Sequence, residues 1–145
     1  MDIVKAVTEG IKANGACNSF SGGTLEKLVE QLFTPQGVEF VMKTGYPRLY
    51  EFREIQNETD LKIYGIYVDC GNIELTESRK VFLVGNTVAR LNYRELANNN
   101  VYMIHGAKAD IHASGYAVIK VEKDFGSHVE SVAEDNAVIL WYGVV

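Results

Sequence analysis

Three residues in the C-terminal half have side chains suited to metal binding or acid–base catalysis: His105, Asp110 and His112. Side chains alternate between the two faces of a strand, so Asp110 and His112 would share a face, about 7 Å apart at Cβ. That spacing suits one metal ion or an acid–base pair. His105 would be a third ligand, but a corner at Gly106 separates it from the pair. Two interpretations remain, a metal-dependent hydrolase site and a solvated strand face. We favour the second and predict no metal, cofactor or catalytic residue.

The two cysteines, Cys17 and Cys70, lie in different halves of the chain. Their spacing fits neither a zinc site nor a redox pair, and two thiols do not make a disulfide framework. Neither cysteine has the local signature of a catalytic nucleophile. We therefore interpret both as buried or incidental thiols and expect a protein that is not an enzyme.

A strongly apolar stretch occupies residues 137–145. The five large apolar or aromatic residues at 138–142 would point to both faces of a strand, and one core covers only one set. We therefore predict an interface formed by Ile139, Trp141 and Tyr142. Trp141 is the expected anchor, because large aromatic residues dominate interface energies. The predicted partners are a second copy of the chain and another protein.

The C-terminal half also indicates the elements that would position these residues. From Leu83 onward, pairs of turn-forming residues precede short runs rich in valine, isoleucine, leucine and alanine. This pattern predicts short strands joined by tight corners, a solenoid-like or meandering β architecture. We expect strands at 61–69, 73–75, 81–84, 87–91, 108–113, 117–121 and 137–141.

Three further expectations concern the interior and the repeat of this region. Small and branched residues alternate along one predicted strand and should line a narrow interior: Ala107, Ala109, Ile111 and Ala113. The polar stretches 92–100 and 122–134 are expected to be loops or bulging corners. Turn signals thirty residues apart, such as Gly85 and Gly115, predict a thirty-residue repeat of corners and strands.

The first 55 residues predict short helices. Apolar residues at helical spacing, with capping residues before them, place helices at 2–14, 25–33 and 35–43, and a further turn at 48–53. Thr34-Pro35 and Gly45 are the strongest start and stop signals. The predicted fold class is α+β: a helical N-terminal cap over residues 1–55 and a β-rich, solenoid-like region over 56–145, forming one compact unit.

Composition restricts the class of function. A chain of 145 residues with 47% hydrophobic residues can bury a core and is not disordered. A net charge of −5 argues against nucleic-acid binding, and no apolar window reaches the length of a membrane span. With no secretory signal visible, we expect a cytoplasmic protein without nucleic-acid or membrane partners.

Several blocks of sequence are similar to one group of proteins. Residues 33–40, 64–69, 83–87 and 103–118 resemble uncharacterised proteins of Bacteroidales prophages and mobile elements. The step DNAVI at 135–139 resembles the Gly/Asp-Asn-Ala-x-Val steps of phage-associated β-solenoid proteins. The resemblance implies a non-enzymatic structural or interaction protein that self-associates, in the host cytosol or on a virion. A small inhibitor that binds a host defence protein is the alternative.

Overall fold

The computed structural model describes residues 2–15 and 23–143. It divides the chain into two compact units, Met1–Tyr64 and Gly65–Val145. The described part of the first unit is helical, and the second unit is a parallel β-solenoid. The predicted α+β class, with helices followed by a solenoid-like region, is therefore confirmed.

The described residues of the first unit form four α-helices and a 3₁₀ helix: α1 (Ile3–Ala13), α2 (Leu25–Leu32), α3 (Pro35–Thr44), α4 (Leu49–Glu58) and the 3₁₀ helix Leu61–Tyr64. Side-chain oxygens of Thr24 and Thr34 accept hydrogen bonds from backbone N–H groups three residues later, at 3.2 and 3.1 Å. Such caps satisfy N–H groups that lack a partner inside the helix. Gly45 ends α3 in a left-handed conformation, with φ 74°. The predicted positions of α1, α2 and α3 are confirmed.

The segment that follows α3 differs from the prediction. α4 continues to Glu58, because Phe52 and Ile55 give it a buried side while its last polar residues stay exposed. Residues Leu61–Tyr64 form a 3₁₀ helix in which only Leu61 is buried, and the first strand begins at Ile66. The predicted strand at 61–69 was wrong over Leu61–Tyr64 and right over Ile66–Val68, because its alternation spanned two different elements.

The second unit has nine strands among the described residues: β1 (Ile66–Val68), β2 (Gly71–Thr76), β3 (Lys80–Val84), β4 (Thr87–Tyr93), β5 (Asn98–Ile104), β6 (Lys108–Ala113), β7 (Val118–Lys123), β8 (His128–Ala133) and β9 (Val138–Gly143). The odd-numbered strands form one parallel sheet, in the order β1-β3-β5-β7-β9, and the even-numbered strands form the other. We call these the odd and even sheets. Successive strands alternate between the sheets, so each even strand with the odd strand after it makes one coil of the solenoid.

The coils repeat every twenty residues. Asn98 aligns with Val118, and Val118 aligns with Val138, each twenty positions further along. The first step is shorter, since Gly71 aligns with Thr87 sixteen positions later. The predicted thirty-residue repeat was wrong: thirty residues are one and a half coils, which lead from a corner on one side of the solenoid to a corner on the other.

The interior of the solenoid is one hydrophobic core, in which inward side chains at aligned positions stack in columns. Residues at aligned positions point the same way in a parallel ladder, so each inward side chain packs on those above and below it. On β6 and the corner before it, the predicted residues Ala107, Ala109, Ile111 and Ala113 are buried, at 6% exposure or less. Their predicted inward orientation is confirmed.

β8 lies within the predicted loop at 122–134, and β5 begins within the predicted loop at 92–100. β5 begins with three asparagines, and Asn99 faces inward and is fully buried. Its Oδ1 accepts a hydrogen bond from Arg79 at 3.1 Å, and its Nδ2 donates to the carbonyl of Val118 at 3.1 Å. A polar residue whose hydrogen bonds are satisfied can occupy a core position. β8 was missed because most of its side chains are exposed.

Candidate functional site

The predicted pair Asp110 and His112 lies on the outer face of β6. His112 Nε2 is 3.5 Å from Asp110 Oδ1, and 52% and 42% of the two side chains are exposed. His105 lies in the corner between β5 and β6, where its backbone N–H donates to Asp124 Oδ2 at 2.9 Å. Within residues 2–15 and 23–143, no group of three histidine, cysteine or acidic side chains could hold a metal ion. The structure therefore does not assemble the three candidates into one site.

Charged side chains continue across the outer face of the even sheet. Strand register aligns Glu74, Arg90, Asp110 and Glu130 in one column. Arg90 Nη1 lies 4.0 Å from Glu74 Oε2, and 60% or more of each side chain is exposed. Water screens exposed pairs of this kind, so they contribute little to stability. The arrangement is a solvated, charged strand face.

Two shallow depressions follow this face, with volumes of about 420 and 260 Å³. Arg90 and Asp110 help to line the first, and His112 and Val132 help to line the second. A small-molecule pocket buries most of its ligand between convergent walls. Here the lining comes from one sheet face and the adjoining corner, which does not make an enclosed site.

Carboxylates at the corners of the solenoid bind the backbone. Four of them accept a hydrogen bond from an N–H of a neighbouring coil: Asp69 from Asn86 at 2.8 Å, Glu77 from Arg94 at 2.8 Å, Asp124 from His105 at 2.9 Å, and Asp135 from Gly115 at 3.1 Å. Backbone N–H groups at corners lie outside the strand ladders and need such acceptors. These acids hold successive corners together.

Of the two cysteines, Cys17 lies outside the described residues and Cys70 lies in the corner between β1 and β2. The Cys70 N–H donates to Thr87 Oγ1 at 3.0 Å, and its thiol donates to the carbonyl of Val68 at 3.6 Å. These contacts give Cys70 a place in the packing of the corner.

The predicted interface residues lie on β9, the last strand of the odd sheet. Register aligns Trp141 with Val121 on β7, so both point into the solenoid. Val121 is 1% exposed, whereas Trp141 is 53% exposed. Ile139 likewise aligns with the fully buried Ile119 but is only partly buried. The cause is the position of β9: each earlier coil is covered by the next, and among the described residues no coil follows this one.

Tyr142 points the other way, onto the outer face of the odd sheet. It is 51% exposed, and Lys120 Nζ lies 5.9 Å from the centre of its ring, within the range of a cation–π contact. The structure thus places Ile139 and Trp141 together on the inner side of β9 and Tyr142 on the opposite side.

This end of the solenoid has two further properties. Within the described residues, β8 and β9 each pair with one neighbour only, so both leave a free backbone edge at the same end. Residues 124–145 also contain four carboxylates, Asp124, Glu130, Glu134 and Asp135, but no lysine or arginine. The twenty-residue register was the missing signal, because it identifies β8 and β9 as one uncovered coil.

Among the residues that the structure describes, no helix has the length and apolar character that crossing a membrane requires. Comparison with protein-family models, with curated proteins and with solved structures finds no match to this chain. Of the resemblance drawn from the sequence, the β-solenoid architecture of about four turns is supported by the fold itself.

Proposed function

We propose that this chain is a non-enzymatic structural or interaction protein that self-associates through the uncovered end of its solenoid. One observation supports the proposal above all others. The inward positions Val81, Val101 and Val121 are at most 1% exposed, whereas the aligned Trp141 is 53% exposed. A second protein surface would cover Trp141 as a further coil covers the earlier positions.

The energetics of an uncovered coil favour such a partner. Burial of apolar surface contributes about 25 cal/mol per Å², and a tryptophan offers one of the largest apolar surfaces. The free edges of β8 and β9 also present backbone N–H and C=O groups that pair readily with another strand. An association that covers this end would bury the apolar side chains and give the backbone N–H and C=O groups hydrogen-bond partners.

Light scattering after gel filtration, over a range of protein concentrations, tests the proposal. Trp141→Ser should shift the protein towards monomer at micromolar concentration without unfolding it. Tyr116→Ser is a matched control, because Tyr116 is an aromatic residue, 61% exposed, in a corner between strands of the preceding coil. A wild-type protein that stays monomeric at high concentration would contradict the proposal, as would a Trp141→Ser monomer that is unfolded.

A phage or mobile-element origin, with residence in the host cytosol or on a virion, is part of the same proposal. It rests on the short motifs at 33–40 and 103–118 and on the solenoid architecture. Neighbouring genes that encode tail components would support it.

The second candidate is a small inhibitor that binds a host defence protein. The acidic charge of residues 124–145 favours it, because four carboxylates without a lysine or arginine complement a basic partner. Neighbouring genes for defence systems, together with a monomeric state, would favour this candidate. We do not propose the hydrolase, because Asp110 and His112 form an exposed pair to which the described residues bring no third ligand.

A further inference from the structure

We propose that two copies meet end to end about a two-fold axis, with β9 of each copy pairing antiparallel to the other and Leu140 opposite Leu140. This inference rests on the proposed self-association and specifies its geometry. It depends on the composition of β9, on the alternation of its side chains between the two sides of the sheet, and on the position of the acidic corner before it.

The composition of β9 leaves its free edge open to pairing. Proteins usually block an exposed edge with charged residues, proline or a bulge. β9 has the sequence VILWYG, without a charge or a proline, and it pairs with β7 along its full length without a bulge. β8, the other free edge of this end, carries Glu130 and His128. β9 is therefore the better strand for adding a partner.

The alternation of side chains restricts the register of the pairing. Residues directly opposite in an antiparallel pair point to the same side of the sheet. Ile139 and Trp141 point into the solenoid, so each must lie opposite a residue that also points inward. Centring the pair on Leu140 places Ile139 opposite Trp141 of the second copy on the inner side. It places Val138 opposite Tyr142 of the second copy on the outer side, so that each of these β9 cross-strand pairs is apolar or aromatic.

Charge selects the orientation and argues for a closed dimer. The corner before β9 carries Glu134 and Asp135. In the antiparallel arrangement of β9 on β9, this corner of one copy lies near the far end of β9 in the other copy. A two-fold arrangement of β9 on β8 would instead set the two acidic corners against each other, and like charges repel. The β9-on-β9 pairing is isologous, so it closes after two copies.

Cysteine cross-linking tests the register directly. In a Cys17→Ser, Cys70→Ser background, Leu140→Cys should form an intermolecular disulfide under mild oxidation. Opposite residues in an antiparallel pair have Cα atoms about 4.5–5.5 Å apart, which is within the range of disulfides. Val138→Cys is the matched control on the same face of the strand. Its two copies would lie about 14 Å apart, four residues along the strand, which is too far for a bond.

A mixture of Val138→Cys and Tyr142→Cys proteins gives a second measurement, because both residues are exposed, at 44% and 51%, and tolerate substitution. We expect several-fold more cross-linked dimer in this mixture and in Leu140→Cys than in Val138→Cys alone. If the protein dimerises but Val138→Cys cross-links as well as Leu140→Cys and the mixture, the register is wrong and the self-association stands. If light scattering shows only monomer, both proposals fail. A mass that grows without limit with concentration would exclude the two-fold closure.

Discussion

The third coil, formed by β6 and β7, and the last coil, formed by β8 and β9, have aligned positions but different surroundings. Ile119 in the third coil is fully buried, whereas the aligned Ile139 in the last coil is partly exposed. The same holds for Val121 and Trp141. Register thus decides which way a side chain points, and the next coil decides whether it is buried. Aligned inward positions are therefore buried core in the third coil and exposed apolar surface in the last coil.

The two strands of the last coil differ in how far they are adapted to water. On β8, the inward position that holds Ile111 in the third coil is Ser131, and it is exposed. Terminal repeats of solenoids commonly carry such polar replacements. On β9, the inward positions remain Ile139 and Trp141. The polar replacement is therefore confined to β8, and β9 is the strand on which the proposed self-association relies.

The largest expected effect on stability is the difference between alanine substitutions at the aligned residues Ile119 and Ile139. Ile119→Ala should lower the free energy of unfolding by about 2–5 kcal/mol, because it leaves a cavity in a closed core. Ile139→Ala should lower it by less than half as much, since solvent already reaches this position. Urea unfolding at low protein concentration measures both. Equal losses in the two variants would mean that the last coil is covered in the monomer, contrary to the structure.

The parts of the fold that the sequence predicted are those with local signals. Thr34 followed by Pro35, and Gly45 ten residues later, define α3 from neighbouring residues alone. The alternation of β6 is equally local. β5 was not predicted because the inward position of Asn99 depends on Arg79, which is distant in sequence. No local pattern shows that an asparagine will find its partners in a neighbouring coil.

The candidate site shows the same difference between features with a local sequence signal and features that depend on residues distant in sequence. The apolar run on β9 predicted an interface strand, and alternation showed that its residues would face both ways. The sequence did not show which side would be open, because this depends on the alignment of Trp141 with Val121. The metal hypothesis placed Asp110 and His112 on one face correctly, but the path of the corner at His105 is a property of the folded chain.

A smaller effect concerns Tyr93, which shares an inward column with Ala113 and Ala133. Tyr93 is 1% exposed, and its hydroxyl donates to the carbonyl of Ser78 at 2.9 Å. Tyr93→Phe should cost about 1 kcal/mol through this lost hydrogen bond. Tyr142→Phe in the last coil is the control and should change stability by no more than about 0.5 kcal/mol, since Tyr142 is exposed. Thermal or urea unfolding at neutral pH compares the two variants.

Tyr93→Phe should also differ from wild type in the pH dependence of its stability at alkaline pH. Burial, with a further contribution from Glu77, raises the pKa of Tyr93 far above its ordinary value of about 10. The unfolded chain therefore loses this proton first, and the stability that the neutral phenol provides is complete below pH 10 and declines above it. Between pH 10 and 12, the free energy of unfolding of wild type should fall more steeply than that of Tyr93→Phe. Parallel curves would show that Tyr93 ionises freely in the folded protein.

The smallest expected effect concerns the outer face, where the two coils should not differ. Water covers the outward side chains of β6 and β8 alike, so pairs on both strands should contribute little. Asp110→Ala with His112→Ala should change the free energy of unfolding by no more than about 0.5 kcal/mol. The matched double variant in the last coil, His128→Ala with Glu130→Ala, removes a pair whose Nε2–Oε1 distance is 4.0 Å and should behave in the same way. Metal analysis of wild type and of both variants accompanies the unfolding curves. A bound metal that is lost only with Asp110 and His112, or a stability loss confined to that variant, would make this face a site and not merely a solvated surface.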